Sequence, residues 1–255
     1  MLSDELLAAI EPWPHWVSEC RTQCLVNADC LEVLPRLPAG CVDAVVTDPP
    51  YGIGDKPQRR EVANGKRVGK RNDWFEDSSW DMEINPLWCK AVSPWPCAWF
   101  GQWRQRELVA EAFDSALRCE IVWVKDCHVG PPCPAAMRDE RIWWFSHAAL
   151  QTTRFETTVW DEPIIPTWEH RHHRNQKPES LMVRTVTWIE ANAILDPFAG
   201  SFTTLVACVR TGRCGIGIEI DPGYYATGVK RVQDELGRHP LFAEQERLTQ
   251  KELLT

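Results

Sequence analysis

The residues with the clearest chemical potential in this sequence are four in a row, Asp48-Pro49-Pro50-Tyr51, directly after an apolar run. The aspartate can accept a hydrogen bond from a planar amino group, and a peptide carbonyl beside proline can accept a second one. The tyrosine offers a flat face for stacking. Because proline fixes its own φ and restricts the preceding residue, the loop is stiff. A strand ending in a proline turn would explain the prolines but not the carboxylate, so the tetrad indicates a site for the edge and face of adenine or cytosine.

A second segment with chemical potential lies far downstream, at residues 196–204, with the sequence Asp-Pro-Phe-Ala-Gly-Ser-Phe-Thr-Thr. The pattern predicts a strand over 193–196, a turn of small residues and a helix over 203–210 that stops before Gly212. A further strand over 214–219 ends in Glu219, roughly 20 residues beyond the turn, where a carboxylate can hold a ribose. The turn lacks the three spaced glycines of the dinucleotide fingerprint. Taken alone, it predicts only a strand–turn–helix unit.

Both segments resemble one family, the beta group of DNA amino-methyltransferases, which transfer a methyl group from S-adenosylmethionine to adenine N6 or cytosine N4. The tetrad matches the family's catalytic motif, and residues 196–204 match its cofactor loop, in the permuted order in which the catalytic motif comes first. Three shorter segments agree in order. Residues 27–31 resemble the entry segment, 139–145 the strand that carries a glutamate, and 175–178 the Lys-Pro segment beside the methionine end of the cofactor.

The resemblance implies a role for each matched residue. The tetrad Asp48, Pro49, Pro50 and Tyr51 holds the target amine and stacks on its base, which must be flipped out of the duplex. The amine attacks the methyl group directly, so catalysis is mainly positioning and electrostatic support, without a cysteine nucleophile. In the cofactor site, Glu219 holds the ribose, Lys177 supports the carboxylate end and Asp29 contacts the adenine end. The full implied set of cofactor-binding residues is Asp29, Lys177, Asp196, Phe198, Gly200, Ser201, Thr203 and Glu219.

One residue departs from the family's cofactor loop, because Phe202 stands where the second glycine is usual. Phenylalanine loses easy access to positive φ and adds a large side chain. If the ring points away from the cofactor, the site survives. If it closes the loop, the chain is an inactive relative that binds DNA or cofactor without catalysis. We expect an active enzyme, since the other loop residues and Glu219 are in place.

The elements that must position these residues alternate along the chain. Period and composition predict helices over 105–117, 179–190 and 222–236, in addition to 203–210. The pattern predicts strands over 25–27, 42–47, 97–101, 119–125, 141–146, 193–196 and 214–219. This alternation favours a Rossmann-like, doubly wound α/β fold with a mostly parallel sheet and helices on both faces, which the resemblance identifies as the class I methyltransferase type. Asp48, Asp196 and Glu219 all fall at strand ends, where such sheets bind ligands.

The charge of the chain is uneven. The 255 residues carry a net charge of −8, which argues against a broadly basic nucleic-acid binder, and they show no linker, so we expect a single methyltransferase domain over 1–255. Residues 56–71 form a basic segment with only one acidic residue. We interpret it as a flexible loop that neutralises DNA phosphates, with a solvated surface loop as the alternative. Its basic residues are Lys56, Arg59, Arg60, Lys66, Arg67, Lys70 and Arg71.

Target recognition is expected in residues 151–174, where the family resemblance places the specificity region. Arg171 and Arg174 could reach bases or phosphates there, whereas the tryptophans of this segment could equally serve packing. By resemblance, an aspartate at the head of the tetrad favours adenine N6, with cytosine N4 as the alternative. Methylation of RNA or of a protein amide is disfavoured because those relatives usually carry asparagine there.

The remaining expectations concern partners and location. Double-stranded DNA is the expected partner. A separate restriction endonuclease is a candidate second partner because no nuclease motif is evident, and the chain could act as a monomer or a homodimer. No apolar run approaches the length of a membrane helix, and no secretory segment opens the chain, so we expect a cytoplasmic protein without a membrane partner. The eleven cysteines lack the paired spacing of a zinc site, and we expect no metal.

Overall fold

The fold is given by a computed structural model that describes residues 1–51, 85–114, 116–126, 138–147, 152–153, 155–166, 172 and 176–238. The whole basic segment 56–71 therefore lies outside the described residues, as do parts of segment 151–174. The predicted DNA-binding residues that fall outside are Lys56, Arg59, Arg60, Lys66, Arg67, Lys70, Arg71, Arg171 and Arg174.

The described residues form helices and strands that alternate along most of the chain. The helices are α1 (Asp4–Ile10), α2 (Cys30–Val33), α3 (Pro86–Val92), α4 (Arg106–Ala112), α5 (Glu179–Trp188), α6 (Thr203–Arg210) and α7 (Pro222–Arg238). The strands are β1 (His15–Val17), β2 (Gln23–Asn27), β3 (Ala44–Thr47), β4 (Cys97–Gly101), β5 (Leu117–Val124), β6 (Asp139–Phe145), β7 (Val159–Asp161), β8 (Ala193–Asp196) and β9 (Cys214–Glu219). None of the described helices combines the length and apolarity needed to cross a bilayer.

All the described strands join one mixed, mostly parallel sheet in the order β1-β2-β9-β8-β3-β4-β6-β5-β7. The central strands β2, β9, β8, β3 and β4 pair in parallel. Strand β6 is antiparallel to both of its neighbours, β4 and β5, so β5 runs in the same direction as β4. From β3 the chain proceeds to β4 on one side, whereas β8 leads through α6 to β9 on the other. The edge beyond β3 and β8 is therefore a topological switch point, where ligands bind in open α/β sheets.

Helices cover both faces of this sheet, as the sequence predicted. Side chains alternate between the faces along each strand, so Val45 of β3 packs with α1 to α4, and Val46 packs with α5 on the other face. Helices α6 and α7 bury a third apolar cluster with Leu25 of β2. This double cover explains why the central strands are apolar throughout rather than alternating.

The structure differs from the sequence-based prediction in some elements. The helix predicted over 105–117 ends at Ala112, because Asp114 adopts a left-handed φ of 51° and Leu117 already begins β5. Helix α5 ends at Trp188, two residues before the predicted end. The short elements α1, α2, α3, β1 and β7 were not predicted, since three to seven residues carry too little periodicity to identify them.

Candidate active site

The predicted catalytic and cofactor residues meet at one edge of the sheet. Asp48 directly follows β3, while Asp196 and Glu219 are the last residues of β8 and β9, and these three strands are neighbours. Glu140 lies near the start of β6. Because β6 runs antiparallel to β4, its amino end lies at the same edge as the carboxyl ends of the parallel strands. This edge is therefore rich in carboxylates.

The Lys177 side chain lies at the centre of the tetrad. Its ammonium is 2.5 Å from Asp48 Oδ2, 3.0 Å from the Tyr51 hydroxyl and 3.4 Å from Glu140 Oε2, and the residue is buried. The ring centroids of Tyr51 and Phe100 lie 5.1 and 5.6 Å from the ammonium, within the range of cation–π attraction. Burial lowers the pKa of the Lys177 ammonium, but Asp48 and Glu140 outweigh it and raise that pKa above its ordinary value. The Lys177 side chain thus stays charged beside Asp48. Its contact with the cofactor carboxylate remains a prediction.

A second lysine completes this ionic cluster behind Lys177. Lys125, which follows β5, lies 2.5 Å from Glu140 Oε1, and the Tyr51 hydroxyl donates to Glu140 Oε2 at 3.3 Å. Burial opposes the charge of Glu140, but Lys177 and Lys125 together outweigh it and hold the pKa of that carboxyl below its ordinary value. Two ammonium groups and two carboxylates therefore alternate in the order Lys125, Glu140, Lys177, Asp48.

One carboxylate oxygen of Asp48 has no partner in the described part of the chain. Lys177 occupies Asp48 Oδ2, whereas Asp48 Oδ1 is buried and has no hydrogen-bond partner among the described residues. A buried acceptor without a donor is costly, which is why such atoms concentrate at sites that bind something. Burial raises the pKa of Asp48, and the Lys177 ammonium acts against this rise. The free oxygen is an acceptor available to a donor such as an exocyclic amine.

The tyrosine of the tetrad is fixed through its main chain by a residue that the sequence did not single out. The side-chain amide of Gln105 donates to the Tyr51 carbonyl, and its oxygen accepts from the Gln102 amide at 2.7 Å. Gln105 is buried just beyond the end of β4. A glutamine at a helix start carries no motif, so only the fold reveals this contact.

Asp196 organises the loop of residues 196–204 from within. Its Oδ1 accepts from Thr47 Oγ1 at 2.9 Å and from the Phe198 amide at 3.1 Å, and its Oδ2 accepts from Thr204 Oγ1. Burial raises the pKa of Asp196 to about 6, although these donors oppose the rise. Because Thr47 immediately precedes Asp48, the Asp196 carboxylate links the loop directly to the tetrad at residues 48–51.

Glu219 faces the same loop from the neighbouring strand. One carboxylate oxygen accepts from the Gly200 amide at 2.8 Å and the other from the Asp221 amide at 2.8 Å. Burial raises the pKa of Glu219 to about 7, with these two amides opposing the rise. The Asn27 side chain donates to the Glu219 carbonyl at 2.7 Å and so fixes the strand end from β2. A carboxylate held this way is poised to accept hydrogen bonds from hydroxyl groups.

The ring of Phe202 points into the protein. The residue has φ 60° and ψ 35°, the left-handed conformation that the family's glycine would adopt without strain, and its side chain is fully buried. A left-handed residue with a Cβ costs about 1–2 kcal/mol, whereas burying a phenylalanine side chain contributes about 1.5–3 kcal/mol. The ring therefore offsets the strain, and it leaves the outer surface of the loop free.

The loop is also held from helix α7. The guanidinium of Arg231 donates to the Ser201 carbonyl at 2.5 Å and to Thr203 Oγ1 at 3.2 Å, and pairs with Glu179 at 2.7 Å. Glu179 opens α5, two residues after Lys177. Arg231 thus connects the loop of residues 196–204 with the segment that delivers Lys177 to the tetrad.

The other predicted residues have local roles. Asp29 caps α2 by accepting from the Leu31 amide at 2.9 Å, and Phe198 packs edge-on against Trp88 with ring centroids 5.0 Å apart. Pro49 is buried and Pro50 partly so. Among the residues that the structure covers, no group of three His, Cys, Asp or Glu side chains is placed to hold a metal ion.

The chain is similar to known DNA methyltransferases. The family model described as DNA methylase, which covers N6 and N4 enzymes, matches residues 42–230. The DNA adenine methyltransferase YhdJ of Escherichia coli K12 is 25% identical in an alignment of 262 positions, which covers 82% of this chain and 82% of that protein.

Solved structures share the fold. The structure of an M1.HpyAVI–SAM complex has a TM-score of 0.58 at 22% identity, and the match covers 81% of this chain and 98% of that one. The PvuII DNA methyltransferase, described as cytosine-N4-specific, has a TM-score of 0.60 at 14% identity, with 86% of this chain and 92% of that one covered.

Proposed function

Because this chain belongs to the DNA methylase family of N6 and N4 enzymes, we propose that it methylates the exocyclic N6 amine of adenine in DNA. It is a DNA methyltransferase, and its cofactor is S-adenosylmethionine. The choice of adenine and the roles of individual residues belong to the proposal.

The observation that carries the proposal is that the two oxygens of the Asp48 carboxylate have different surroundings. Oδ2 is held by the Lys177 ammonium, and Oδ1 is buried without a partner at the carboxyl end of β3. An exocyclic amine has two N–H bonds, so Oδ1 can accept one and the Pro49 carbonyl the other. With both N–H bonds directed this way, the nitrogen lone pair points away from the base plane. The tetrad therefore orients the amine without needing to move Lys177.

The proton of the amine also has an acceptor. As the nitrogen takes the methyl carbon, the carbon–sulfur bond of the sulfonium would break and S-adenosylhomocysteine would leave. The nitrogen would then carry excess positive charge and would have to lose one proton. Asp48 Oδ1 is the nearest acceptor in this arrangement, and the Lys177 ammonium at Oδ2 favours the ionised form of the carboxylate. Fixed charges of this kind act without reorganisation, which makes them effective in catalysis.

The residues of the cofactor loop fit S-adenosylmethionine. Glu219 is a partly buried carboxylate at a strand end, where it can accept from two ribose hydroxyls, and it is already matched to amide donors at 2.8 Å. The turn at 200–202 has its large ring buried beneath, which leaves backbone groups outside for the methionine moiety. When bound, S-adenosylmethionine supplies a methyl group on a sulfonium, which is a strong electrophile. The chain's part is to hold and orient both reactants.

A cytosine N4 target is the second candidate. The cytosine-N4-specific PvuII enzyme has the same fold, and cytosine N4 is also an exocyclic amine with two N–H bonds. The Asp48 geometry serves either base. Adenine is preferred because the tetrad begins with aspartate and because YhdJ is described as an adenine methyltransferase.

Contacts to DNA remain predictions at the level of residues. The basic segment 56–71, together with Arg171 and Arg174, is proposed to bind the phosphates of double-stranded DNA. Because the chain has a net charge of −8, phosphate binding requires a locally basic region of this kind. A separate restriction endonuclease, and the choice between monomer and homodimer, stay predictions as well.

The test is direct. Purified protein is incubated with unmethylated DNA and labelled S-adenosylmethionine, and the DNA is then digested to nucleosides for mass analysis. We expect N6-methyladenine, and its loss in Asp48→Ala with S-adenosylmethionine binding retained. N4-methylcytosine would keep the mechanism and overturn the base assignment. Cofactor and DNA binding without any methylated nucleoside would establish the inactive alternative that Phe202 first raised.

A further inference from the structure

The ring of Phe202 lies in a slot between strand β9 and helix α7 that two glycines leave open. We propose that Phe202 is a positioning residue for the cofactor, an anchor whose buried ring sets the turn of the loop over Glu219. This rests on the proposed role of residues 196–204 as the cofactor loop. The inference reverses the expectation from the family, in which glycine at this place is the functional residue.

The slot is built from residues without side chains. A Cβ at Gly217 of β9 would lie 2.6 Å from Phe202 Cε1, and a Cβ at Gly228 of α7 would overlap the same ring. Tyr225, one turn earlier on α7, meets the ring edge-on at 6.5 Å between centroids. The ring and the two glycines are thus complementary, and a side chain at either glycine is incompatible with the present position of Phe202.

The anchor acts on the part of the loop that faces Glu219. Gly217 and Glu219 are two residues apart on β9, so both project to the same face of the strand, roughly 6.6 Å apart along it. The ring packs on Gly217, while the loop amide of Gly200 donates to Glu219 at 2.8 Å. The anchor and the carboxylate proposed to hold the ribose therefore share one strand face.

Backbone hydrogen bonds connect Phe202 to the turn before it and to helix α6 after it. Its amide donates to the Ala199 carbonyl at 2.6 Å, its carbonyl accepts from the Val206 amide at 3.1 Å, and it precedes α6 directly. Gly200 also has a positive φ, 51°. With glycine at position 202, no side chain would fill the slot. The turn at residues 200–202 would then no longer be held in place by a buried side chain. Greater freedom before binding lowers affinity, because that freedom is lost when the cofactor binds.

The experiment is a double-mutant cycle on cofactor binding. The proteins are wild type, Phe202→Gly, Gly228→Ala and the double variant, with the dissociation constant of S-adenosylmethionine measured by calorimetry and folding checked by thermal unfolding. We expect Phe202→Gly to bind about tenfold more weakly, and Gly228→Ala to bind more weakly by a similar factor. In the Phe202→Gly background the added methyl group has room, so Gly228→Ala should cost little there. The coupling between the two positions is the signature of the anchor.

The control for the helix substitution lies on α7 itself. Gly237→Ala adds the same methyl group where nothing lies within 4 Å, and it should leave cofactor binding unchanged. Phe202→Leu, which keeps part of the ring's volume, serves if Phe202→Gly does not fold. In Phe202→Leu the KM for S-adenosylmethionine should rise by a larger factor than kcat falls, which general loss of folded protein would not produce.

The outcomes are distinct. A folded Phe202→Gly that binds S-adenosylmethionine as tightly as wild type, or tighter, overturns the anchor while leaving the proposed function intact. Additive effects of Phe202→Gly and Gly228→Ala overturn it too. A wild-type protein that binds no S-adenosylmethionine overturns the proposed function and the anchor together.

Discussion

The Lys177 ammonium lies 2.5 Å from one oxygen of Asp48, and the other oxygen of that carboxylate is buried without a partner among the described residues. One oxygen of this carboxylate is thus paired with a cation, and the other is an open acceptor. Lys177 is delivered by the segment before α5, which the resemblance associated with the methionine end of the cofactor. In the structure its ammonium contacts Asp48 and Tyr51 of the tetrad.

The first prediction separates these two roles of Lys177. Lys177→Met removes the cation that faces Asp48 and Glu140, so both carboxylates lose their shared partner. We expect kcat to fall about 100-fold, comparable to the loss of one electrostatic group in other active sites. The dissociation constant of S-adenosylmethionine should change far less. Methylation kinetics and calorimetry on the same preparation check both quantities.

The matched control is Lys230→Met, which removes an exposed lysine from α7 and should leave both quantities unchanged. If Lys177→Met instead weakened cofactor binding strongly while kcat at saturation held, Lys177 would act on the cofactor carboxylate, as the family resemblance implied.

The second prediction concerns the buried pair behind Lys177. Glu140→Gln leaves Lys125, whose side chain is 8% exposed, without its carboxylate. Breaking a buried pair by removing one partner typically costs about 3 kcal/mol of unfolding free energy. The double variant Glu140→Gln, Lys125→Met should lose less unfolding free energy than the sum of the losses in the two single variants. Urea unfolding of the four proteins measures the coupling, and strictly additive losses would show that the pair is energetically silent.

Much of the fold and part of the site could be predicted from the sequence. The strands that carry Asp48, Asp196 and Glu219 have clear apolar patterns bounded by proline or glycine, and helix α6 was predicted with its observed bounds. Their shared edge followed from the rule that parallel strands present their carboxyl ends together. Local pattern sufficed because these elements are buried on both faces.

Contacts between residues far apart in the sequence could not be predicted. Gln105 reaches the Tyr51 carbonyl, and Arg231 reaches the Ser201 carbonyl from α7, over separations that no local pattern encodes. The fold can accommodate the Phe202 ring only because Gly217 and Gly228 lack side chains. Nothing in the local sequence around either glycine indicates this role. Complementarity of this kind exists only after packing.

The third prediction concerns stability and pH. The pKa of Asp196 is raised to about 6 and that of Glu219 to about 7, so the folded protein binds these protons more tightly than the unfolded chain. Stability must then rise as pH falls from 8 to 6, because protonation relieves the burial of charge. A shift of about two units corresponds to roughly 3 kcal/mol when fully expressed. Chemical unfolding of the cofactor-free protein across this window checks the direction.

Asp196→Asn supplies the comparison for that experiment, since the amide cannot titrate and its pH slope should be shallower. It should also be less stable near pH 6, because the amide nitrogen replaces one carboxylate oxygen and cannot accept, so either Thr204 or the Phe198 amide loses its acceptor. A wild-type protein whose stability increased between pH 6 and 8 would contradict the raised pKa values.

The last prediction is that cofactor affinity depends on the charge of Glu219. The carboxylate accepts from the Gly200 and Asp221 amides in the structure, and only its ionised form keeps full capacity to accept from ribose hydroxyls as well. With a pKa of about 7, the ionised fraction falls about tenfold between pH 8 and pH 6. The dissociation constant of S-adenosylmethionine should rise by a similar factor over that range.

The comparison that isolates Glu219 in that titration is Glu219→Gln, which should bind weakly and lose the part of the pH dependence due to this residue. What remains in the variant belongs to other groups, including Asp196, and can be subtracted. An equal pH dependence in the wild type and in Glu219→Gln would place the titrating group elsewhere and remove Glu219 from the proposed ribose contact. A tenfold change confined to the wild type would tie Glu219, at the end of β9, to the cofactor, because the two proteins differ only at this residue.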